Sequence, residues 1–144
     1  MTQSNPKFRA SVRNPLLLEE MLNRHPELRV WIAHLGYSFL EETIGILNVY
    51  PQVYDDTSAI DWLGSREKFG AYLKQLIRAG FEKQIMFGSD QMTWPDAIGM
   101  AVETIERADY LSAEQKRDIL YNNAARFLRL SPDEIAKHHE TQKK

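Results

Sequence analysis

The spacing of hydrophobic positions changes several times along this chain, and each change marks an element. Asn14-Pro15 leads into Leu16, Leu17, Leu18, Met21 and Leu22, with Asn14 suited to cap a helix and Pro15 to fill its first position. That helix is predicted over 14–24 and stops before His25-Pro26, because a residue ahead of proline avoids helical backbone. Arg29-Val30-Trp31-Ile32-Ala33-His34 is short, largely apolar and non-alternating, as in a parallel strand buried on both faces. Ser38 and Glu41 fit a capping box, which predicts a helix over 39–48 before Pro51 interrupts. Residues 53–57 read as a second strand. Ser65 caps a helix over 66–79, ended by Gly80, whose Phe69, Leu73, Leu76 and Ile77 form one stripe. Gln84-Ile85-Met86-Phe87 reads as the third strand.

Helices dominate the remainder. Thr93 and Pro95 start one with Ile98, Val102 and Ile105 on a single face. Ser112 and Gln115 form another capping box, opening a helix to about residue 128 that buries Ile119, Leu120, Ala124 and Phe127. Ser131-Pro132 begins a last short helix, and the polar end over 138–144 is expected to fray. Residues 1–13 thus form a polar lead-in, 14–130 one domain, and 131–144 a terminal helix and tail. Strands alternating with helices predict an α/β fold with a parallel sheet. Such folds place ligands beyond the carboxyl ends of their strands.

Composition narrows the partners. With 144 residues, 43% hydrophobic and 26% charged, the chain suits one soluble globular domain. A formal net charge of -2 gives no electrostatic reason to expect nucleic acid or an anionic membrane. The absence of cysteine excludes disulfides and thiolate metal sites and fits a cytoplasmic location. No apolar run approaches the ~20 residues a membrane helix needs, and the first residues lack a signal-like apolar core.

Two strand ends carry the candidate chemistry, Ala33-His34-Leu35-Gly36 and Phe87-Gly88-Ser89-Asp90. By strand alternation Val30, Ile32 and His34 share a side; if that side is a barrel interior, His34 tops it and can shuttle a proton or polarise a substrate oxygen. The alternative is a buried histidine satisfied by a backbone carbonyl. Met86, Gly88 and Asp90 also share a side, and a carboxylate closing an apolar strand needs a cation or donors to offset its desolvation. Asp90 can ligate a divalent metal and accept a proton from bound water, or can cap the next helix, although Thr93 stands closer to that start. Asp56 and Ser58, at the end of the second strand, suit either substrate contact or a turn. Asp55 should face the helices if Asp56 faces inward. Tyr37 and Trp94 suit pocket walls or packing; His25 reads as structural, and His138-His139 is a weak metal pair.

Together these motifs resemble the amidohydrolase-related family, the amidohydrolase 2 branch of its superfamily. The resemblance rests on Asn14-Pro15-Leu16, His25-Pro26-Glu27-Leu28, Ala33-His34-Leu35-Gly36, Asp56-Thr57-Ser58-Ala59, Phe87-Gly88-Ser89-Asp90 and Asn122-Asn123-Ala124-Ala125-Arg126-Phe127-Leu128, in that order. It implies a TIM-type (β/α)8 barrel in which His34 matches the strand-6 histidine that positions substrate and transfers protons. Asp90 matches the strand-8 aspartate, a metal ligand and general base. Members are metal-dependent hydrolases, with some non-oxidative decarboxylases of carboxylic acids, and use zinc or sometimes manganese.

A full barrel typically needs about 250 residues. The family's strand-1 His-x-His pair and strand-5 histidine have no counterpart here, so the sequence reads as the C-terminal part of the barrel, about three strand–helix units plus terminal helices. A catalytic zinc takes about three protein ligands, so a divalent metal is expected only if the missing ones are supplied. The expected partners are a small-molecule substrate and either the N-terminal part of a barrel or a second copy, because strands around Trp31 and Phe87 would keep open edges. The competing readings are a catalytically inactive remnant or binding module, and a self-sufficient small enzyme using His34 and Asp90 without metal.

Overall fold

The computed structural model describes residues 9–58, 65–91 and 94–141. Among these, three strands form one parallel sheet in the order β1 (Val30–Ile32), β2 (Val53–Asp56), β3 (Ile85–Met86). Val30 pairs with Val53 and Ile32 with Asp55; Asp55 pairs with Ile85 and Asp56 with Met86. The sheet is open, the α/β arrangement expected of part of a (β/α)8 barrel.

The helices follow the sequence pattern with instructive exceptions. Asn14 accepts the Leu16 N–H at 2.9 Å, but the first turn, Pro15–Leu18, is a 3₁₀ helix that widens into α1 (Glu19–Arg24). Ser38 does not cap α2 (Leu40–Val49): its φ is +81°, where a cap needs extended backbone, and the helix starts at Phe39 without a side-chain cap. Ser65 does cap α3 (Arg66–Arg78), accepting the Lys68 N–H at 3.2 Å. In α4 (Asp96–Glu106) Ile105 is buried and Val102 half-buried as predicted, with Ala101 joining them, whereas Ile98 is exposed. Thr93, proposed to start that helix, lies outside the described residues.

The segment expected as one helix to residue 128 is three pieces. Ser112 and Gln115 form the capping box of α5 (Ala113–Arg117), a π-helical turn follows (Asp118–Asn122), and α6 (Asn123–Leu128) ends at Arg129 in the left-handed region. The last helix, α7 (Pro132–Thr141), runs into the tail predicted to fray, as far as Thr141. Ser131 and Glu134 cap it reciprocally, and the His138 ring bonds the Tyr121 hydroxyl at 2.9 Å. No described helix is long and apolar enough to cross a membrane.

One face of the sheet packs on α2 and α3, where Val53 and Ile85 join Ile46, Leu47, Leu73 and Leu76 in the core, with Val30 and Ile32 against it. The other face presents Trp31 and Tyr54, which pack edge-on to Phe127 of α6 at centroid distances of 6.3 and 5.2 Å. Trp31 nonetheless stays 55% exposed, so this face is only partly covered.

The β3 edge is not left open, contrary to the sequence expectation. At the π turn the Asn123 N–H reaches back five residues to the Asp118 carbonyl. The neighbouring Ile119 carbonyl accepts the Phe87 N–H at 2.7 Å, and the Asn123 amide donates to the Ile85 and Glu82 carbonyls. Helix groups thus satisfy the backbone that a neighbouring strand would otherwise pair.

Candidate functional site

β1 stops at Ile32 because the chain enters a left-handed turn. His34, Leu35 and Gly36 have φ of +65°, +52° and +59°. Each non-glycine residue held there costs about 1–2 kcal/mol, so the turn needs outside support. Gly36 is required twice over: a Cβ there would adopt the disfavoured φ and stand 2.0 Å from Thr43 Oγ1. The Gly36 carbonyl accepts from the Phe39 N–H at 2.9 Å and the Tyr72 hydroxyl at 3.2 Å. Leu35 is completely buried in the core.

The turn reverses the orientation expected for His34. Val30 and Ile32 face the helices, yet the His34 ring comes to the opposite side of the sheet, beside Asp56 and Ser58. Its Nδ1 lies 2.9 Å from the Ser58 carbonyl and 3.0 Å from Ser58 Oγ. A carbonyl only accepts, so Nδ1 carries the proton in the neutral ring and Nε2 keeps its lone pair. No described residue bonds Nε2.

Asp56 organises this end of the sheet. Its Oδ1 accepts from the His34 N–H at 3.0 Å, the Ser58 N–H at 3.0 Å and the Ser58 hydroxyl, and its Oδ2 accepts from Trp31 Nε1 at 2.9 Å. Four donors saturate a carboxylate. The sequence left Asp56 as either a substrate contact or a turn residue; here it accepts these four bonds from within the chain. Asp55 faces the helices, as its alternation with Asp56 predicts, and is completely buried. Its Oδ1 accepts the Asp56 N–H at 2.8 Å while Oδ2 has no partner. Burial above all, and then the neighbouring Asp56 charge, push its carboxyl well above the usual range, against the pull of the Asp56 and Leu35 amides.

The end of β3 approaches this cluster through Gly88. A Cβ there would meet Ser58 Cβ at 3.0 Å and the Asp56 carboxyl at 3.2 Å, and Thr57 Oγ1 bridges to the Gly88 N–H and carbonyl at 3.2 and 3.3 Å. Asp90, two residues on, is exposed with φ +51°, and no described residue donates to its carboxylate. Trp94 is also exposed. Tyr37 packs on Tyr72 of α3 at 5.8 Å between centroids, bracing the turn from the helix side. His25 lies in the exposed turn before β1.

A strand-end histidine, an Asp-Thr-Ser stretch and a Gly-Ser-Asp stretch brought together on a parallel sheet call for comparison with known families. The amidohydrolase family model matches residues 2–130. The chain belongs to the amidohydrolase family. Among solved structures of this fold it is similar to a protein proposed to be a 2-pyrone-4,6-dicarboxylic acid hydrolase from Pseudomonas putida, with 24% identity and a TM-score of 0.62, over 82% of this chain and 49% of that one. It is also similar to 5-carboxyvanillate decarboxylase from Sphingomonas paucimobilis, with 20% identity and a TM-score of 0.57, over 81% of this chain and 38% of that one. An amidohydrolase from Burkholderia multivorans solved with bound zinc matches with 22% identity and a TM-score of 0.55, over 79% of this chain and 48% of that one. Among curated proteins, protein fluG of Emericella nidulans is 22% identical over 133 residues, which are 82% of this chain and 15% of that protein. The chain therefore spans less than half of each of these relatives.

The described residues do not by themselves fit the metal of such amidohydrolases. No group of three His, Asp or Glu side chains comes together among them. His138 and His139 pack on Tyr121. What the sequence reading missed is the joint role of Asp56 and Ser58. The available signal was a short Asp-x-Ser spacing at a strand end, the pattern of a side chain bonding backbone two residues on.

Proposed function

We propose that this chain forms the C-terminal wall of the active site of an amidohydrolase-family enzyme that hydrolyses C–O or C–N bonds or decarboxylates a small carboxylic acid. The observation that carries the reading is the geometry of His34. Its ring is anchored at Nδ1 over the carboxyl ends of the strands, with Nε2 left to exchange a proton with, or polarise, a substrate oxygen. Asp90, at the matching end of β3, is proposed to supply a carboxylate ligand to zinc or manganese once other strands bring the remaining ligands. Trp94 is proposed to wall the substrate side, whereas Tyr37 packs on Tyr72 on the helix side of the turn. A small-molecule substrate, a cytoplasmic setting and association with the rest of a barrel belong to the same reading.

The test starts from the coding sequence upstream of Met1. Any in-frame or neighbouring segment carrying a His-x-His strand is produced together with this chain, and the assembly is assayed for zinc and for hydrolysis or decarboxylation of aromatic and lactone carboxylates. The expected result is bound metal and turnover that Asp90→Asn abolishes. Turnover unaffected by Asp90→Asn overturns the role of Asp90.

A second reading is favoured by the sealed β3 edge. The Phe87–Ile119 hydrogen bond and the Asn123 amide occupy positions that a closing strand needs. A chain that keeps this arrangement is a stand-alone, catalytically inactive domain. A monodisperse monomer that fails to associate with a co-produced barrel segment supports that reading against the first.

A further inference from the structure

Asp56 and Ser58 stand in line behind His34, and nothing in the enzyme reading above requires them. The Ser58 hydroxyl donates to Asp56 Oδ1 and so presents its lone pair toward His34 Nδ1, 3.0 Å away. The Ser58 carbonyl accepts at the same nitrogen at 2.9 Å. Asp56 Oδ1 meanwhile holds the His34 and Ser58 amides, fixing the backbone of both partners. Ser58 and Asp56 are both buried and hydrogen-bonded to each other.

We infer that Asp56 and Ser58 form a positioning relay that fixes His34 in its Nδ1–H tautomer and leaves Nε2 as the proton-transfer atom. Free imidazole side chains have no such constraint, since which nitrogen holds the proton is set by the hydrogen bond made by the other. Asp56 acts through Ser58, and Ser58 through the ring; neither touches substrate. Gly88 serves the same arrangement, because any side chain there would press on Ser58 and Asp56 from the β3 side. This inference rests on the proposed role of His34 only for its functional meaning; the tautomer itself is a property of the chain as it stands.

The test is a long-range proton–nitrogen correlation spectrum of this chain, recorded where the imidazoles are neutral, with the His34 signals assigned by His34→Gln. The expected spectrum shows His34 protonated at Nδ1, in about tenfold excess over the other tautomer, the ratio that one good hydrogen bond provides. Ser58→Ala should reduce that excess several-fold and Ser58→Thr should restore it. Protonation of wild-type His34 at Nε2 overturns the inference, and so does a tautomer ratio unchanged in a folded Ser58→Ala chain. If Ser58→Ala does not fold, the wild-type spectrum still decides. A ratio unchanged in Ser58→Ala would leave the enzyme reading standing, and loss of the enzyme reading would leave the spectrum unchanged, so the two are separable.

Discussion

The ends of β2 and β3 lie side by side and are built in opposite ways. Around Asp56, four donors converge on one carboxylate, a left-handed turn is held from both sides of the sheet, and Asp56 and Ser58 are buried. Around Asp90, a carboxylate stands exposed and receives nothing from the described residues. The first end is finished by the chain's own sequence. The second, the proposed metal ligand, has no such partners among the described residues. Among the described residues the family's strand-end motifs are thus present without a group of three His, Asp or Glu side chains.

The sharpest way to break the comparison is to remove each carboxylate in turn. Asp56→Ala strands several buried donors and should destabilise the fold by about 3–5 kcal/mol, whereas Asp90→Ala should change stability by less than about 0.5 kcal/mol. Urea unfolding followed by circular dichroism measures both, and equal effects would erase the distinction. Next in size is Gly36→Ala, which forces a Cβ into Thr43 and an unfavourable φ and should cost about 2–4 kcal/mol. Asn123→Ala tests whether the β3 edge is truly sealed. Loss of its bonds to the Ile85 and Glu82 carbonyls should cost about 1–3 kcal/mol by the same measurement.

The smallest expected effect is a pH dependence from Asp55. Its folded-state pKa is raised well above 3.8, chiefly by burial, so the folded chain holds a proton that the unfolded chain releases. Stability from this group is complete below that ordinary value and is lost as pH rises through the folded value. Asp55→Asn should flatten that decline, read as unfolding midpoints across pH; a slope unchanged by the substitution would remove Asp55 as its source.

Much of this was legible in the sequence because it depends on local chemistry. The Ser65 cap, the Ser112–Gln115 box and the Phe69–Leu73–Leu76 stripe follow from side chains within one or two turns of each other. The order and parallel pairing of the strands follow from alternation with helices. His34 illustrates the limit. Its place at a strand end was readable, but strand alternation put it with Val30 and Ile32, and only the left-handed turn supported by Thr43, Tyr72 and Asp56 carries it to the other face. The same holds for Ser38, whose spacing to Glu41 imitates a cap that its positive φ forbids. The sealing of β3 was invisible, because a π turn at Asp118–Asn122 leaves no mark in the spacing of Ile119, Leu120 and Ala124.

The central proposal is that this chain carries one finished half of an amidohydrolase site and one unfinished half. Zinc titration of the purified chain, read by calorimetry and by metal content after gel filtration, tests it most directly. The account predicts well under one equivalent of retained zinc and no difference between wild type and Asp90→Asn. Retention of about one equivalent that Asp90→Asn removes would contradict it, since three or so ligands would then have to come from within this chain.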